Sequence, residues 1–191
     1  MLHVTRYTLH AMDSVLDPVK IVRFFELKNG DYAADFGSGH GYFIIPLAKS
    51  VSPDGKVFAI DIQRQMLDVT RAKSKLENLL NVECIWSDLE NPQGSKLKDD
   101  FVDLVLLTNI LHQSDQKENI IKEAYRILHS SGRLAVIEWD TEKAADSFGP
   151  PHAMRIGKEV VINLAQDQLF SVAQEFDAGS HHYGILFVKK S

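Results

Sequence analysis

Residues 31–43 read DYAADFGSGHGYF, an apolar stretch that runs directly into a cluster of alternating glycines. The apolar part, Asp31 to Phe36, is typical of a buried strand, and the residues from Tyr42 to Lys49 predict a helix. Glycines let backbone approach a ligand closely, and the first N–H groups of a helix are free to bind it. The stretch therefore predicts a strand, a ligand-binding loop and a helix in succession, with the loop glycines at Gly37, Gly39 and Gly41.

The same alternation of strand and helix continues along the chain. Further strands are predicted at 56–61, 81–86, 101–108 and 133–139. Helices are predicted at 63–77 and from Ser114 or Asp115 to His129. These strands lack polar alternation and are separated by helices, which indicates a parallel sheet covered on both faces.

Local signals mark where several helices begin and end. Asp17-Pro18 predicts a helix start, with Gly30 ending that helix. Asp115 and Glu118 have the spacing of a capping box, and Gly132 ends the helix that follows.

The end of the chain breaks the alternation. Residues 170–177 and 182–190 both read as strands, and only Ala178-Gly179-Ser180-His181 separates them. So short a connection permits only an antiparallel hairpin. The expected architecture is an α/β fold, a Rossmann-like, doubly wound, mostly parallel sheet with one antiparallel strand near its edge.

Composition sets the broad class. The chain has 191 residues, of which 45% are hydrophobic and 25% charged, which is typical of one globular domain covering residues 1–191. Cys84 is the single cysteine, so no internal disulfide and no Cys/His metal site is expected. No apolar stretch is long enough to span a membrane, and the N-terminus does not resemble a signal peptide, so we expect a cytoplasmic protein.

The charge balance argues against one class of partner. Lys and Arg number 21 against 26 Asp and Glu, and no dense basic run occurs. A nucleic-acid partner is therefore not expected. The sequence leaves the oligomeric state open, and a homo-oligomer is neither indicated nor excluded.

Acidic residues stand at the ends of three successive predicted strands. Asp35 precedes the glycines, Asp61 ends the second strand, and Asp88 follows the third. In an open α/β sheet, ligands bind at these carboxyl ends. Asp61 is placed to accept from both hydroxyls of a ribose, and Asp88 from an adenine amino group. A glycine loop followed by an acid at the end of each of the next two strands predicts an adenosine ligand.

The loop spacing discriminates between adenosine ligands. A dinucleotide fingerprint reads GxGxxG, whereas this loop reads GxGxG with Tyr42 after it and Asp35 before it. An acid would repel a pyrophosphate but suits a ligand that carries an ammonium and a sulfonium. The spacing favours S-adenosylmethionine, with a nicotinamide-dependent oxidoreductase as the alternative enzyme class.

The sequence resembles the class I S-adenosylmethionine-dependent methyltransferases. The resemblance is carried by DFGSGHGYF (35–43), VFAIDIQRQML (57–67), WSDLENP (86–92), FVDLVLLTNILH (101–112) and AYRILHSSGRLAVIEW (124–139). The NILH segment and the later GPPHAMRI resemble the small UbiE-like branch. The family implies a seven-stranded sheet of order 3-2-1-4-5-7-6 with an antiparallel strand 7.

The resemblance also implies which residues contact the cofactor. Residues of the loop would contact its methionine and ribose, Asp61 its ribose hydroxyls, and Ile62 and Met66 its adenine. Asp88 and Leu89 would bind the adenine edge, and Asn109 would lie near the methionine end. The full expected set is Asp35, Gly37, Ser38, Gly39, Gly41, Asp61, Ile62, Met66, Asp88, Leu89 and Asn109.

Two segments are candidates for covering the methyl group, residues 1–16 and residues 140–156. In the second, His152 and Arg155 are the leading acceptor-site candidates, with Met154 and Trp139 beside them, and His152 is also a candidate catalytic residue. The alternative is a rigid surface loop in which Arg155 pairs with an acid.

Other candidates are weighed residue by residue. His112 is placed to act as a base after the fourth strand, or to bond only to backbone. Glu138 is a candidate for the floor of the acceptor pocket. Tyr7 and His10 are candidates for closing over the cofactor, and the alternative is a frayed or packed terminal segment. His181 and His182 are interpreted as exposed turn residues, and Asp103 as a strand-start residue.

The implied chemistry is in-line methyl transfer to a small-molecule acceptor. A hydroxyl or acidic carbon needs a base, whereas a thiolate or an amine does not. The Asn109-to-His112 segment replaces the Asn/Asp-Pro-Pro-Tyr element of amino-methylating relatives, and one cysteine does not suit arsenite chemistry. A further alternative is a non-catalytic cofactor-binding subunit that needs a partner.

Overall fold

A computed structural model describes residues 16–142 and 149–190 of the protein. It contains a seven-stranded sheet of order β3-β2-β1-β4-β5-β7-β6, in which β7 alone runs antiparallel to β5 and to β6. The predicted strand order and the antiparallel strand are confirmed. The strands are β1 Tyr32–Phe36, β2 Lys56–Asp61, β3 Val82–Trp86, β4 Val102–Thr108, β5 Leu128–Trp139, β6 Phe170–Asp177 and β7 His182–Lys189.

Helices cover both faces of the sheet because its central strands are mostly apolar. β1, β2 and β4 bury most of their residues, and β5 is buried from Leu134 to Glu138. One apolar cluster lies on each face, and each packs under helices. The described helices are α1 Pro18–Val22, α2 Ile44–Val51, α3 Arg64–Leu76, α4 Lys117–Ile127 and α5 Lys158–Asp167, with single 3-10 turns at Arg23–Phe25, Leu111–Gln113 and His152–Met154.

Parallel pairing brings the strand ends together at two opposite edges. We call the edge where β1 to β5 end the carboxyl edge, and the edge where they begin the amino edge. The register aligns Phe36 with Ile60 and with Leu107, so the loops that follow β1, β2 and β4 meet at the carboxyl edge. Antiparallel pairing sets His182, at the start of β7, opposite Trp139, at the end of β5.

Several predicted helix boundaries are wrong. The helix predicted to reach His129 ends at Ile127, because Leu128 pairs with Val102 and begins β5. Its start also lacks the predicted capping box, since Gln116 occupies the cap position without a side-chain bond. The Ser114 hydroxyl instead accepts from the Gln116 N–H at 2.9 Å.

The first helix is shorter than predicted, and the last one was not predicted at all. Asp17 caps α1 as expected, since its carboxylate accepts from the Lys20 N–H at 3.1 Å. The helical stretch nevertheless ends at Glu26, in the left-handed conformation, and does not reach Gly30. The prediction omitted α5, whose buried Val161 and Ala165 are spaced four apart.

Among residues 16–142 and 149–190, no helix has both the length and the apolar content needed to cross a lipid bilayer.

Candidate functional site

A cavity of about 370 Å³ opens at the carboxyl edge beside the glycine loop. Its wall is built from the loops that follow β1, β2, β3 and β4, which is where an open α/β sheet binds ligands. It is lined by Gly37, Gly39, Asp61, Ile62, Gln63, Ser87, Asp88, Leu89, Glu90, Asn109, Ile110, Gln113, Ser114 and Ile120.

The glycine loop forms one wall because its backbone bonds to the neighbouring strand. The N–H groups of Gly37 and Ser38 both donate to the Ile60 carbonyl, at 2.8 and 3.1 Å. Gly37 has a φ of +70°, and a Cβ there would lie 2.6 Å from Ile110 Cδ1. At Gly39 a Cβ would meet no protein atom within 4 Å, so the left-handed φ of +51° is what favours glycine there.

Asp61 connects the glycine loop to the second strand. One carboxylate oxygen accepts from the Gly39 N–H and the other from the Gln63 N–H, both at 2.8 Å. A carboxylate has about four acceptor positions, so both oxygens can still accept from a ligand. The side chain is thus held in place and remains available to two hydroxyls.

Asp88 is fixed in a similar way at the end of β3. Its carboxylate accepts from the Glu90 N–H and from the Asn91 amide, each at 3.0 Å. Next to it, the Trp86 indole donates to the Ile62 carbonyl at 2.8 Å and so holds the loop after β2 against β3. Asp61, Ile62 and Asp88 therefore line one side of the cavity in a fixed arrangement.

Asp35 is a buried acid behind the cavity wall. It is 3% exposed, and burial, together with the nearby charge of Asp61, raises the pKa of Asp35 to about 8. No ion pair to Asp35 occurs within the described part of the chain. An acid in this position favours a cationic ligand, which would compensate its charge.

Two further polar atoms near the loop lack partners. Ser38 Oγ and Asn109 Oδ1 are buried and make no hydrogen bond in the structure. Buried polar groups are normally paired, so orphaned acceptors beside a cavity indicate a missing ligand. Together with Asp35, they fit the ammonium and sulfonium of S-adenosylmethionine.

The structure brings together most, but not all, of the residues expected to bind the cofactor. Seven line the cavity: Gly37, Gly39, Asp61, Ile62, Asp88, Leu89 and Asn109. Asp35, Ser38, Gly41 and Met66 are not among its lining residues, and their cofactor contacts stay predictions. Gly41 packs on Thr70, whose hydroxyl a Cβ at Gly41 would approach to 2.7 Å.

Half of the cavity lining was not predicted from the sequence. These residues are Gln63, Ser87, Glu90, Ile110, Gln113, Ser114 and Ile120. Gln63, Ser87 and Ile110 lie within two residues of a strand end, which was the available signal, whereas Glu90, Gln113 and Ser114 lie four to six residues beyond one. Ile120 lies one turn into α4, and only the packing of that helix brings it to the cavity.

His112 forms a buried hydrogen-bonded pair with Glu138 at the carboxyl edge. Its Nδ1 lies 2.8 Å from Glu138 Oε2, and the two side chains are 6% and 0% exposed. Glu138 Oε1 accepts from the Leu111 N–H at 2.7 Å. The Glu138 carboxylate thus holds the turn that carries His112, and its place on the floor of an acceptor pocket stays a prediction.

His182 is also part of this edge, and the expectation of an exposed turn residue is wrong. It is 1% exposed because β7 pairs with β5 and carries it under Trp139, with ring centroids 4.1 Å apart. Asn109 Nδ2 lies 3.1 Å from His182 Nε2. Asn109, directly after β4, has a φ of +55°, in the left-handed region where asparagine is enriched.

The segment 140–156 is described only in part, since residues 143–148 lie outside the described residues. His152 is exposed, and its Nε2 contacts the Thr141 carbonyl. The Arg155 guanidinium is buried and donates to the carbonyls of Pro150 and Asp140, at 3.2 and 2.9 Å. Neither residue lines the cavity, nor does the exposed Met154, so their acceptor roles stay predictions. Tyr7 and His10 lie outside the described residues.

Within the part of the chain that the structure describes, no three side chains of His, Cys, Asp or Glu cluster closely enough to hold a metal ion.

Comparison with known proteins identifies the family to which the chain belongs. The family model described as a methyltransferase domain matches residues 27–185. The chain is similar to a solved S-adenosylmethionine-dependent methyltransferase from Aquifex aeolicus, with a TM-score of 0.83, 27% identity, and 92% and 91% of the two chains covered. The fold is that of a class I S-adenosylmethionine-dependent methyltransferase, and the chain belongs to the methyltransferase-domain family.

Within that class the relatives are UbiE-like. A demethylmenaquinone methyltransferase of Lactobacillus johnsonii is 29% identical over 123 residues, which are 62% of this chain and 48% of the relative. The ubiquinone/menaquinone biosynthesis C-methyltransferase UbiE of Erwinia tasmaniensis is 27% identical, over 82% of this chain and 59% of the relative. The chain spans about half the length of the curated relatives it matches.

Proposed function

We propose that this chain transfers a methyl group from S-adenosylmethionine to a small-molecule acceptor. The observation that carries the proposal is the cavity itself, in which the glycine loop, Asp61 and Asp88 meet beside the buried acid Asp35. When bound, the cofactor supplies an activated methyl group on its sulfonium. The protein's own residues then need to bind and orient the cofactor and the acceptor, and to exclude water.

Each part of the cavity has a proposed role. Asp61 would accept from the ribose hydroxyls with the two oxygens that Gly39 and Gln63 hold in place. Ile62 would contact the adenine ring, and Asp88 its amino group. Asp35 and Asn109 Oδ1 would stabilise the cationic methionine end. The family match favours this reading over a nicotinamide-dependent oxidoreductase.

The relatives indicate which acceptor to test first. Those that match the chain include proteins named demethylmenaquinone methyltransferase and UbiE C-methyltransferase. A short-chain demethylmenaquinone analogue, reduced to its hydroquinone, is therefore the first acceptor probe. The expected cytoplasmic location and the absence of a nucleic-acid partner stay predictions.

Calorimetric titration tests the cofactor half of the proposal. We expect S-adenosylmethionine and S-adenosylhomocysteine to bind and NAD not to bind. Asp61→Asn should weaken S-adenosylmethionine binding by roughly 1–3 kcal/mol, since one ribose hydroxyl loses its carboxylate partner. The matched control is Asp68→Asn, in an exposed ion pair with Arg71 on α3. Binding of NAD alone, or unchanged affinity in Asp61→Asn, would contradict the proposal.

Transfer of a labelled methyl group to the hydroquinone probe tests the other half. Methylation by the isolated chain would support an enzyme. Cofactor binding with no transfer to this probe or to other small acceptors would favour the alternative, a cofactor-binding subunit that needs a partner.

A further inference from the structure

Glu138 is a completely buried carboxylate whose bonds all go to one short turn. Its Oε1 accepts from the N–H groups of Leu111 and His112, at 2.7 and 3.4 Å, and its Oε2 faces the His112 ring at 2.8 Å. Among residues 16–142 and 149–190, no Lys or Arg forms an ion pair with it. A buried carboxylate needs such bonds to remain charged, so Glu138 and the His112 turn depend on each other.

This contact fixes the protonation pattern of the His112 ring. A carboxylate only accepts hydrogen bonds, so the ring nitrogen beside it, Nδ1, carries the hydrogen. The neutral ring then has its lone pair on Nε2. No residue in the described ranges bonds to Nε2, so this nitrogen remains available to take a proton.

The position of the turn suits a role in the reaction. His112 lies in the 3-10 turn Leu111–Gln113. Gln113, which follows it, and Ile110, which precedes the turn, both line the cavity, whereas His112 is not among the lining residues. The turn itself begins two residues after Asn109, which the site places at the methionine end of the cofactor. A base on this turn would therefore lie near the transferred methyl group.

We propose that Glu138 is the positioning residue that holds His112 as a general base. The acceptor then attacks either through an oxygen that bears a proton or through a carbon that is activated when the acceptor loses a proton. This inference rests on the proposed methyltransferase function and extends it to the acceptor class, a phenol, an enol or a hydroquinone. Amines and thiolates attack without such a base, and they are the acceptor classes that the pair disfavours.

The proposed step balances as follows. His112 Nε2 takes the hydroxyl proton of the acceptor, and the electron pair left on oxygen, or conjugated onto a ring carbon, forms the bond to the methyl carbon. The bond from that carbon to sulfur breaks, and its electron pair stays on sulfur, which leaves S-adenosylhomocysteine. In ring-carbon methylation, the displaced ring proton returns to oxygen through solvent. The imidazolium proton of His112 also passes to solvent.

The first experiment measures the ring directly and needs neither cofactor nor acceptor. Two-bond ¹H–¹⁵N NMR spectra of the histidine rings, with His112 assigned by a His112→Gln variant, report which nitrogen carries the hydrogen. We expect the Nδ1–H form in the wild type and loss of that preference in Glu138→Gln. The matched control is Asp103→Asn, which changes the partner of His129 and should leave His112 unchanged.

The second experiment measures turnover with the hydroquinone probe. His112→Gln should lower kcat by about 100-fold, and Glu138→Gln by about tenfold or more. Both should leave S-adenosylmethionine affinity unchanged. Glu138→Asp keeps the charge and should recover part of kcat, whereas Asp103→Asn should keep full kcat.

The outcomes separate this inference from the proposed function. An Nε2–H ring in the wild type, an unchanged tautomer in Glu138→Gln, or full kcat in His112→Gln would overturn the positioning role while cofactor binding stands. Failure of the wild type to bind S-adenosylmethionine would overturn the function instead. If Glu138→Gln does not fold, the ring tautomer of the wild type and the kcat of His112→Gln decide whether the positioning role stands. If the probe is not methylated, the NMR result alone decides.

Discussion

The sheet carries one histidine–carboxylate pair at its carboxyl edge and one at its amino edge. The two pairs differ in burial and in the hydrogen bonds of their ring nitrogens. At the carboxyl edge His112 and Glu138 are 6% and 0% exposed. At the amino edge His129 and Asp103, 2.6 Å apart, are 41% and 29% exposed. Both pairs connect β4, or the turn after it, to β5, so the fold supplies similar backbone support in the two places.

The bonds of the second ring nitrogen mark the difference in role. His129 Nε2 faces Asp103 and its Nδ1 faces the Ser130 carbonyl at 2.8 Å, so both nitrogens have acceptors. Asp103 also accepts from the Tyr32 N–H at 2.7 Å, which ties β1 to β4. The amino-edge pair therefore connects strand starts, whereas at the carboxyl edge no residue in the described ranges bonds to the second ring nitrogen of His112.

The largest expected difference between the two pairs is in the unfolding free energy that is lost when each carboxylate is replaced by alanine. Glu138→Ala leaves the Leu111 N–H and the His112 ring buried without an acceptor, and we expect a loss of roughly 3–5 kcal/mol in unfolding free energy. Asp103→Ala, in a half-exposed pair, should cost about 1 kcal/mol. Urea unfolding of both variants measures this, and equal losses would contradict the contrast in burial.

A second buried acid makes the carboxyl edge sensitive to pH. The pKa of Asp35 rises from 3.8 to about 8 on folding, so the fold holds the proton that the unfolded chain releases. The contribution of this proton to the unfolding free energy has its full value below about pH 4 and is lost as the pH rises through about 8. We expect a fall of about 2 kcal/mol or more in ligand-free protein across that window.

Asp35→Asn tests this dependence because it cannot ionise. Its urea-unfolding free energy, measured from pH 4 to 9 without cofactor, should lack the decline and exceed that of the wild type at pH 9. A decline of the same size in Asp35→Asn would assign the effect to other groups. Asp103→Asn is the control from the amino edge and should keep the decline.

Glycines at the two edges give a third comparison. Gly37→Ala combines a left-handed φ of +70° with a contact at 2.6 Å to Ile110, so we expect a loss of about 2 kcal/mol and weaker S-adenosylmethionine binding. Gly30→Ala, with a φ of +93° and open space around it, should cost about 1 kcal/mol and leave binding unchanged. Calorimetry and urea unfolding distinguish them. Unaltered binding in Gly37→Ala would place the cofactor elsewhere.

The smallest expected effect comes from His129. Its hydrogen bonds to Asp103 and to the Ser130 carbonyl raise the pKa of His129 above its ordinary value. A raised histidine pKa stabilises the fold fully below the unfolded value, and this is lost as pH rises through the folded value. We expect less than about 1 kcal/mol, reduced further by salt. His129→Gln should abolish this pH dependence in urea unfolding between pH 5 and 9.

Much of the carboxyl edge was predictable because short stretches of the sequence specify it. Asp35, Asp61 and Asp88 each follow a strand of apolar residues, and parallel strands necessarily meet at their carboxyl ends. The sequence therefore predicted both the sheet and most of one wall of the cavity. His112 was also a candidate, since it follows β4 by a few residues.

The partners of these residues were not predictable in the same way. Glu138 and His182 reach the edge through the register of β5 with β4 and with β7. His182 follows a turn sequence that on its own indicates exposure, and only antiparallel pairing buries it under Trp139. The start of β5 at Leu128 likewise depends on Val102 across the strand pair.

The sequence by itself determined the order of strands and helices, the glycine loop and the acids at three strand ends, because each follows from local pattern and from the geometry of parallel strands. The tertiary structure alone decided that His112 meets Glu138, that Asn109 meets His182, and which acids are buried. These pairings bring together residues 26 and 73 positions apart in the chain. Such contacts depend on strand register and burial, which no local stretch of sequence contains.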